Sequence, residues 1–261
     1  MLMRRAADAG HGQRHGAPST ARDRVLQARI GRRTAAPTAE RSVPGYAVKI
    51  VTLRVGGHDY CLRTLSDRQQ FADPDGAAAR AGIGSAAWPL FGMLWPAARV
   101  LAEAVSAMPL DGRHVLEIGC GIGLPSLVLQ QREADITASD HHPLAGSFLA
   151  HNAALNALAP IPFVRAAWAD SNRQLGRFDL IIASDVLYER GHAELLADFI
   201  CRHAQPHAEI LIADPGRGHA NRLGRRLHEQ DYASTERRCR FEETEAPPFR
   251  GRLLSYRRDP C

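Results

Sequence analysis

Between residues 114 and 229, short apolar runs alternate with segments that repeat apolar residues at helical spacing. Each run predicts a buried strand: HVLEIG (114–119), DITASD (135–140), PFVRAAW (162–168), FDLIIASD (178–185) and EILIAD (209–214). Helices are predicted between these runs, for example from Pro143 to about Asn156 and from Arg217 to Glu229. Strands that alternate with helices in this way form a parallel sheet that is covered on both faces.

The two ends of this repeat differ from it. Residues 232–241 and 250–257 read as strands with no helix between them, so the last strand is predicted to be antiparallel. Upstream, Gly56 and Gly57 separate two runs typical of a β-hairpin, and residues 94–107 have an amphipathic helical pattern. The predicted fold is α/β. It is a doubly wound, Rossmann-like, mostly parallel seven-stranded sheet with an antiparallel last strand, preceded by an N-terminal β-hairpin and helix.

Charge divides the chain unevenly. Residues 1–45 carry nine arginines against Asp8, Asp23 and Glu40, a net charge of +6, while all 261 residues sum to +5. We predict a disordered basic leader over 1–45 and one domain over 46–261, with the hairpin and loops in 46–93 and the core in 94–261. A nucleic-acid-binding arm is the alternative for the leader. The leader has no aromatic residue for base stacking, so we do not expect it to bind nucleic acid.

Composition excludes several classes of protein. With 45% hydrophobic residues the chain is too apolar to be wholly disordered, and no uninterrupted apolar run of about 18 residues predicts a membrane span. The five cysteines are residues 61, 120, 201, 239 and 261. None of them form a C-x-x-C motif, and because their number is odd one would remain unpaired if the others formed disulfides. This pattern predicts a cytoplasmic protein without a metal site.

A glycine-rich turn follows the first parallel strand. Glu117, Gly119, Gly121 and Gly123 form E-x-G-x-G-x-G, and Leu124 stands where a dinucleotide fingerprint requires its third glycine. Glycines there allow a ligand to approach the backbone closely. A carboxylate beside the turn repels a pyrophosphate and suits an ammonium or sulfonium group. The turn is therefore predicted to bind a cationic ligand, the alternative being a tight strand–helix turn with no ligand.

A second acidic residue supports an adenosine-containing ligand. Asp140 ends the second parallel strand, nineteen residues after Gly121, where a carboxylate can accept hydrogen bonds from both ribose hydroxyls. In doubly wound sheets the ligand lies at the carboxyl ends of the strands, where the strand order reverses. The expected site is therefore built from residues near 117–123, 140, 168–170, 184–188 and 214–217.

Several motifs together resemble one enzyme family. VLEIGCGIGLPSLVL followed by ITASD resembles the class I, seven-stranded S-adenosylmethionine-dependent methyltransferases. FGMLWPAARVLA and ASDVLYE are similar to the W-P helix and the D-x-x-Y motif of the protein-lysine methyltransferase branch. IADPGR resembles a segment of the lysine methyltransferases that modify the electron-transfer flavoprotein β subunit, although Ala213 replaces its first glycine.

The resemblance implies roles for individual residues. Its cofactor would be S-adenosylmethionine, held at its methionine part by Glu117 and the turn, at its ribose by Asp140, and elsewhere by aromatic and acidic side chains. The implied cofactor-binding residues are Trp95, Glu117, Gly119, Gly121, Gly123, Asp140, Trp168 and Asp170. Asp185 and Tyr188 would be the catalytic residues, since they would face the nucleophile.

The chemistry of lysine methylation fits these two residue types. An ammonium with a pKa of about 10.4 must lose a proton before it attacks, and Asp185 can orient it by a charge-assisted hydrogen bond. Tyr188 can offer a ring face or a hydroxyl. The structural alternatives are a helix cap for Asp185 and packing for Tyr188, and Arg217 is open between a ligand contact and no role. The predicted function is methyl transfer to a protein lysine; the alternatives are a small-molecule N-methyltransferase and a non-catalytic cofactor-binding regulator.

Overall fold

A computed structural model describes residue 43 and residues 45–241 and 249–258. The hairpin strands are β1 (Val48–Val55) and β2 (His58–Leu65), and the strands that follow are β3 (His114–Ile118), β4 (Asp135–Asp140), β5 (Phe163–Arg165), β6 (Phe178–Ser184), β7 (Ala204–Asp214), β8 (Tyr232–Phe241) and β9 (Phe249–Arg258). The helices are α1 (Ala77–Arg80), α2 (Pro96–Ala107), α3 (Leu124–Gln131), α4 (Ala145–Leu155), α5 (His192–His203) and α6 (Ala220–His228). Three short 3-10 turns complete the described elements: Ser85–Ala87, Leu90–Gly92 and Arg173–Leu175.

The large sheet has the predicted topology. Its strand order is β5-β4-β3-β6-β7-β9-β8, and β9 runs antiparallel to both of its neighbours. Strands β3 and β6 are almost completely buried, as expected for parallel strands that are covered on both faces. The strand order reverses between β3 and β6, so the carboxyl ends of these strands form the point at which a ligand is expected. The fold prediction is confirmed.

Two apolar clusters cover the two faces of the sheet. One joins the hairpin, α2, α3 and α4, with Leu101, Leu127 and Phe148 fully buried. The other joins α5 and α6 to the opposite face through Phe199 and Leu223.

Asn152 in α4 and Asn156 just after its end attach the N-terminal hairpin to the core. Asn152 Nδ2 and Oδ1 bond the carbonyl and N–H of Arg63 at 3.3 and 2.7 Å, and Asn156 bonds Cys61 in the same way at 2.7 and 2.8 Å. The two side chains lie one helical turn apart, so together they follow the backbone of β2 as a neighbouring strand would. Asn152 also donates to Ile122 O at 2.9 Å, which links the hairpin to the glycine turn.

Some predicted boundaries differ from the structure. Predicted strand 162–168 is reduced to Phe163–Arg165, because it lies at the edge of the sheet and pairs only with β4. The last helix begins at Ala220 and not at Arg217, because Gly216 and Gly218 have φ of 87° and 93°, which no continuous helix allows. Most of the predicted leader lies outside the described residues. Val43 is described and buried, and it forms a β-bridge with Tyr46.

One described stretch, Ser85–Ala107, is long and apolar enough by length and composition to cross a membrane, with a mean hydropathy of 1.2. Arg99 and Glu103 interrupt it, so it contains no uninterrupted apolar run of about 18 residues. It is divided into two 3-10 turns and α2, whose 12 residues span roughly 18 Å, well short of the ~30 Å hydrocarbon core of a bilayer. The absence of a membrane-spanning segment stays a prediction.

Candidate active site

A cavity of about 470 Å³ lies at the carboxyl edge of the sheet. Seven of the ten predicted site residues line it: Trp95, Gly119, Gly121, Asp140, Trp168, Asp185 and Tyr188. Its walls also include Arg217, whose role the sequence left open, and Phe91 and His142, to which the sequence assigned no role. A cavity of this size is in the range that holds a small-molecule cofactor.

The glycine turn brings the backbone to the cavity wall. Gly121 has φ of 53°, and its N–H donates to Asp140 Oδ2 at 2.8 Å. A Cβ at this position would lie 2.7 Å from Phe91 O, so no larger residue fits without moving that carbonyl. Gly123 plays a different part. It directly precedes α3, and its missing Cβ leaves room for the Leu149 side chain. It packs against the core in this way and is not among the residues that line the cavity.

Asp140 is held rigidly at the end of β4. Besides Gly121 N–H, its carboxylate accepts a 2.7 Å bond from His142 N–H at Oδ1. Burial raises the pKa of Asp140, while the backbone donors act in the opposite direction. A carboxylate has about four acceptor positions, so Asp140 keeps capacity to accept a bond from a ligand hydroxyl.

Glu117 lies beneath the turn and not on the cavity wall. It is 1% exposed, and its Oε2 accepts the Ser126 N–H at 2.9 Å and a short bond from the Ser126 hydroxyl. Ser126 is in the first turn of α3, so Glu117 caps that helix from below. Burial raises the pKa of Glu117 to about 8. A nearby positive charge would favour its ionised form.

The end of β6 forms the opposite wall. Asp185 has φ of 52°, an uncommon conformation for a residue other than glycine, and its carboxylate is 6% exposed. Arg217 binds it with two parallel bonds, Nε to Oδ1 at 2.7 Å and Nη2 to Oδ2 at 2.8 Å. The Arg217 guanidinium also lies 6.0 Å from the centre of the Trp95 ring. The helix-cap alternative for Asp185 does not hold, because α5 begins only at His192.

Aromatic rings surround the remaining wall. Tyr188 is 41% exposed and contacts the His192 ring edge-to-face at 4.8 Å, and His192 contacts Trp168 in the same way at 5.1 Å. Desolvation at the cavity wall raises the pKa of Tyr188 to about 12, so its hydroxyl stays protonated at neutral pH. Asp170 is exposed and is not part of the described wall; its carbonyl accepts a bond from Arg202.

The adjacent side chains of His141 and His142 have different partners and do not converge on one point. His141 donates to Ala81 O at 2.6 Å, whereas the His142 ring is stacked on Phe91 at 3.8 Å. Burial lowers the pKa of His142 to about 4, which keeps it neutral. Among the described residues no three His, Cys, Asp or Glu side chains gather in a metal-binding arrangement.

The sequence contained a signal for the Asp185–Arg217 pair. Asp185 directly follows β6 and Arg217 comes three residues after the end of β7; the two strands are neighbours in the sheet, and the two charges are opposite. Phe91 could have been found from its place in the W-P motif, five residues before Pro96. The role of His142 depends on stacking between distant elements, for which the sequence has no local signal.

Solved structures identify the class of the fold. The T. thermophilus 16S rRNA methyltransferase RsmC matches with a TM-score of 0.56 and 15% identity over 81% of this chain and 51% of that one. A precorrin-6y C5,15-methyltransferase from Geobacter metallireducens matches with a TM-score of 0.51 and 14% identity, over 62% of this chain and 86% of that one. At such identities the likeness defines the fold alone, which is that of the Rossmann-like methyltransferases.

Sequence comparison gives the family. The model of a lysine methyltransferase family matches residues 85–228, more than half of the chain, and the protein belongs to this family. The resemblance found in the motifs is thereby confirmed.

Two curated relatives show how far the similarity extends. The electron transfer flavoprotein beta subunit lysine methyltransferase of Xenopus laevis is 32% identical over 49% of this chain and 53% of its own length. The EEF1A lysine methyltransferase 3 of Mus musculus is 26% identical over 66% of this chain and 72% of its own length. The chain thus spans about half the length of the first of these relatives.

Proposed function

We propose that the protein transfers a methyl group from S-adenosylmethionine to the side-chain amine of a lysine in another protein. The observation that carries this proposal is a single cavity with two different walls. One wall has the glycine turn and Asp140, which suit an adenosine ligand, and the other has Asp185 and Tyr188, which suit an amine. The family assignment and the lysine-methylating relatives support the same reaction.

The described residues fit a cationic adenosine cofactor. Asp140 has acceptor capacity left for ribose hydroxyls, and the Gly121 backbone is open to close approach. The buried carboxyl of Glu117 lies directly below the turn, where a positive charge would favour its ionisation. When bound, S-adenosylmethionine supplies a methyl group on a sulfonium, which a lone pair can take by in-line displacement. Trp95 and Trp168 line the same cavity and would contact the cofactor with their rings.

Asp185 is the group that orients the amine. Arg217 binds both oxygens of its carboxylate, so an incoming ammonium would share or displace that guanidinium. Tyr188 stays neutral, so it acts by hydrogen bonding or through its ring and not as a base. The amine loses its proton to solvent at the open mouth of the cavity, where Tyr188 is 41% exposed. Holding the neutral amine in line is the main contribution that these residues make to the rate.

The direct test is methyl transfer from tritiated S-adenosylmethionine into a cell lysate, followed by separation of protein, nucleic acid and small molecules. Hydrolysis of the protein fraction should give labelled methyl-lysine. Lys49 is the chain's single lysine, so a Lys49→Arg variant removes self-labelling and gives a clean background. Label only in nucleic acid or small molecules would overturn the protein-lysine assignment, and the absence of any transfer would favour a cofactor-binding regulator.

We also propose a cytoplasmic location, supported by the cysteine pattern of the sequence. Cys61, Cys120, Cys201 and Cys239 are free thiols in the structure. Cell fractionation with an antibody to the native protein tests this proposal.

A further inference from the structure

The β8–β9 hairpin extends past the edge of the sheet that carries the cavity. β7 ends at Asp214, which pairs with Arg252 of β9, while β9 begins three residues earlier at Phe249. At ~3.3 Å per residue, this part of the hairpin projects roughly 10 Å beyond β7. The carboxyl ends of the parallel strands point in the same direction, so the described end of the hairpin projects at the edge of the sheet that carries the cavity.

Four arginines share one face of this tip: Arg238, Arg240, Arg250 and Arg252. We call this set the arginine face. Arg238 lies directly opposite Arg252, and Arg240 lies opposite Arg250, so all four side chains leave the hairpin on the same side. Like charges that face each other across a strand pair are destabilising. Such an arrangement favours a bound anion.

Only one member of the arginine face has its charge compensated among the described residues. Arg252 pairs with Asp214 at 3.2 Å and with Glu236 at 3.1 Å. Arg238, Arg240 and Arg250 are exposed and make no ion pair with any described residue. The connecting segment, residues 242–248, carries three glutamates in the sequence and lies outside the described residues.

The arginine face is continuous with the amine wall of the cavity. Asp214 Oδ2 accepts both Arg252 and the N–H of Gly216, and Arg217 follows immediately and binds Asp185. A chain whose lysine reached Asp185 would therefore run past the arginine face on one side of its target residue.

We propose that the arginine face binds an acidic segment of the protein substrate, rich in Asp and Glu, close to the lysine that is methylated. This inference rests on the proposed function and deepens it, because it assigns the chemistry of the substrate. The forked guanidinium matches a carboxylate with two parallel bonds. A single-stranded nucleic acid is the other polyanion that exposed arginines could bind, and its binding is one of the outcomes of the test below.

Two synthetic peptides test the proposal. Both have the same length and one central lysine, which is flanked by Asp and Glu in the first peptide and by Ser and Gln in the second. Fluorescence anisotropy measures their binding to the wild-type chain, to Arg238→Ser/Arg240→Ser/Arg250→Ser, and to a control. The control, Arg54→Ser/Arg173→Ser/Arg225→Ser, removes the same number of exposed positive charges elsewhere on the surface.

The wild type and the control should bind the acidic peptide more tightly than the neutral one. The arginine-face variant should lose about tenfold in affinity for the acidic peptide, as three exposed ion pairs imply, and bind the neutral peptide unchanged. Added salt should remove the preference of the wild type. Equal binding of the acidic peptide by the two triple variants would overturn the proposal. So would tighter binding of a single-stranded oligoribonucleotide that the same variant abolishes.

Methyl transfer to the same peptides separates this inference from the proposed function. The arginine-face variant should keep its kcat/KM on the neutral peptide and lose only the preference for the acidic one. Failure of the wild type to methylate any lysine would count against the proposed function, whereas the anisotropy result would still decide whether the arginine face binds acidic peptide.

Discussion

Asp185 and Arg217 illustrate how a site side chain can be restrained before any substrate arrives. Arg217 fixes both oxygens of a carboxylate that is 6% exposed, and the positive φ of Asp185 turns it toward that partner. A buried carboxylate without a partner would be costly, and Arg217 supplies that partner with two parallel bonds. The price is competition, because the substrate ammonium must approach oxygens that the guanidinium already occupies.

Replacing Asp185 by Asn should reduce turnover by about 10²–10⁴-fold, because the amine loses its charged orienting partner. Affinity for S-adenosylhomocysteine, measured by isothermal titration, should change little. Loss of both quantities would mean that Asp185 belongs to the cofactor wall or to the structure.

Arg217→Met provides the comparison for Asp185. It keeps the Asp185 carboxylate but removes the guanidinium that aims it, so we expect a smaller loss of kcat than in Asp185→Asn and a lower KM for the lysine peptide. Steady-state kinetics of the two single variants and the double variant measure the coupling between the residues. Strictly additive effects would contradict a shared role.

Glu117→Gln should separate stability from cofactor binding. Because the pKa of Glu117 is about 8 in the folded protein and near 4.5 when unfolded, the folded state holds an extra proton between these values. This group therefore makes the free energy of unfolding fall as pH rises from about 4.5 to about 8. Glutamine can still accept the Ser126 bonds but cannot ionise. The variant should lack that component of the slope, which denaturant titrations at several pH values would measure.

The variant must be compared with wild type, because His142 makes the free energy of unfolding depend on pH with the opposite sign. Its pKa is lowered from 6.5 to about 4, so the stability linked to it falls as pH decreases through that range. The difference between wild type and Glu117→Gln cancels the contribution of His142. The same variant should bind S-adenosylmethionine more weakly, since a neutral amide replaces a carboxylate below a cationic ligand. Unchanged affinity would remove Glu117 from the cofactor site.

At the scale of the elements, the sequence predicted the sheet because apolar runs and amphipathic repeats depend on local periodicity. It predicted β4 with its observed bounds and placed the glycine turn at the correct strand end. It extended β5 too far, since an edge strand pairs on one side only, and that depends on strand order. The Asp185–Arg217 pair and the stack of His142 on Phe91 depend on distant elements meeting, so they required the structure.

The attachment of the hairpin gives a prediction for two elements at once. Asn152 is fully buried, and Asn152→Ala removes the hydrogen-bond partner of the Arg63 backbone and of the Ile122 carbonyl. Each buried polar group left unpaired lowers the free energy of unfolding by about 1–3 kcal/mol. We expect a lower denaturation midpoint together with weaker cofactor binding, because Ile122 belongs to the glycine turn. Denaturant titration and calorimetric titration measure the two effects.

Asn156→Ala is the matched control for this experiment. It removes the same kind of side chain one turn away, and that side chain bonds Cys61 but not the glycine turn. It should lower stability and leave cofactor affinity unchanged. If both variants weakened cofactor binding equally, the link would run through the hairpin as a whole and not through Ile122.

At the scale of the whole molecule, the net positive charge is concentrated at one end of the sequence. Residues 1–45 have a net charge of +6, and the whole chain has a net charge of +5. Residues 46–261 therefore have a net charge of −1. Within that nearly neutral part, the arginine face is a local concentration of positive charge at the edge of the sheet that carries the cavity. Steering of an acidic substrate would therefore come from the placement of a few arginines and not from the net charge.

Two truncations test where the working domain begins. Tyr46 is buried, contacts the Phe91 ring edge-to-face at 6.0 Å, and donates its hydroxyl to Ala72 O. Phe91 in turn lies against Gly121 and His142 at the cavity.

A chain of residues 42–261 keeps these contacts, so it should retain the melting temperature and the stabilisation by S-adenosylmethionine. A chain of residues 47–261 loses Val43 and Tyr46 from the core and should melt lower and respond less to the cofactor. Thermal denaturation with and without S-adenosylmethionine measures both. Loss of cofactor response already in the longer chain would show that residues 1–41 belong to the working domain, contrary to the prediction of a leader.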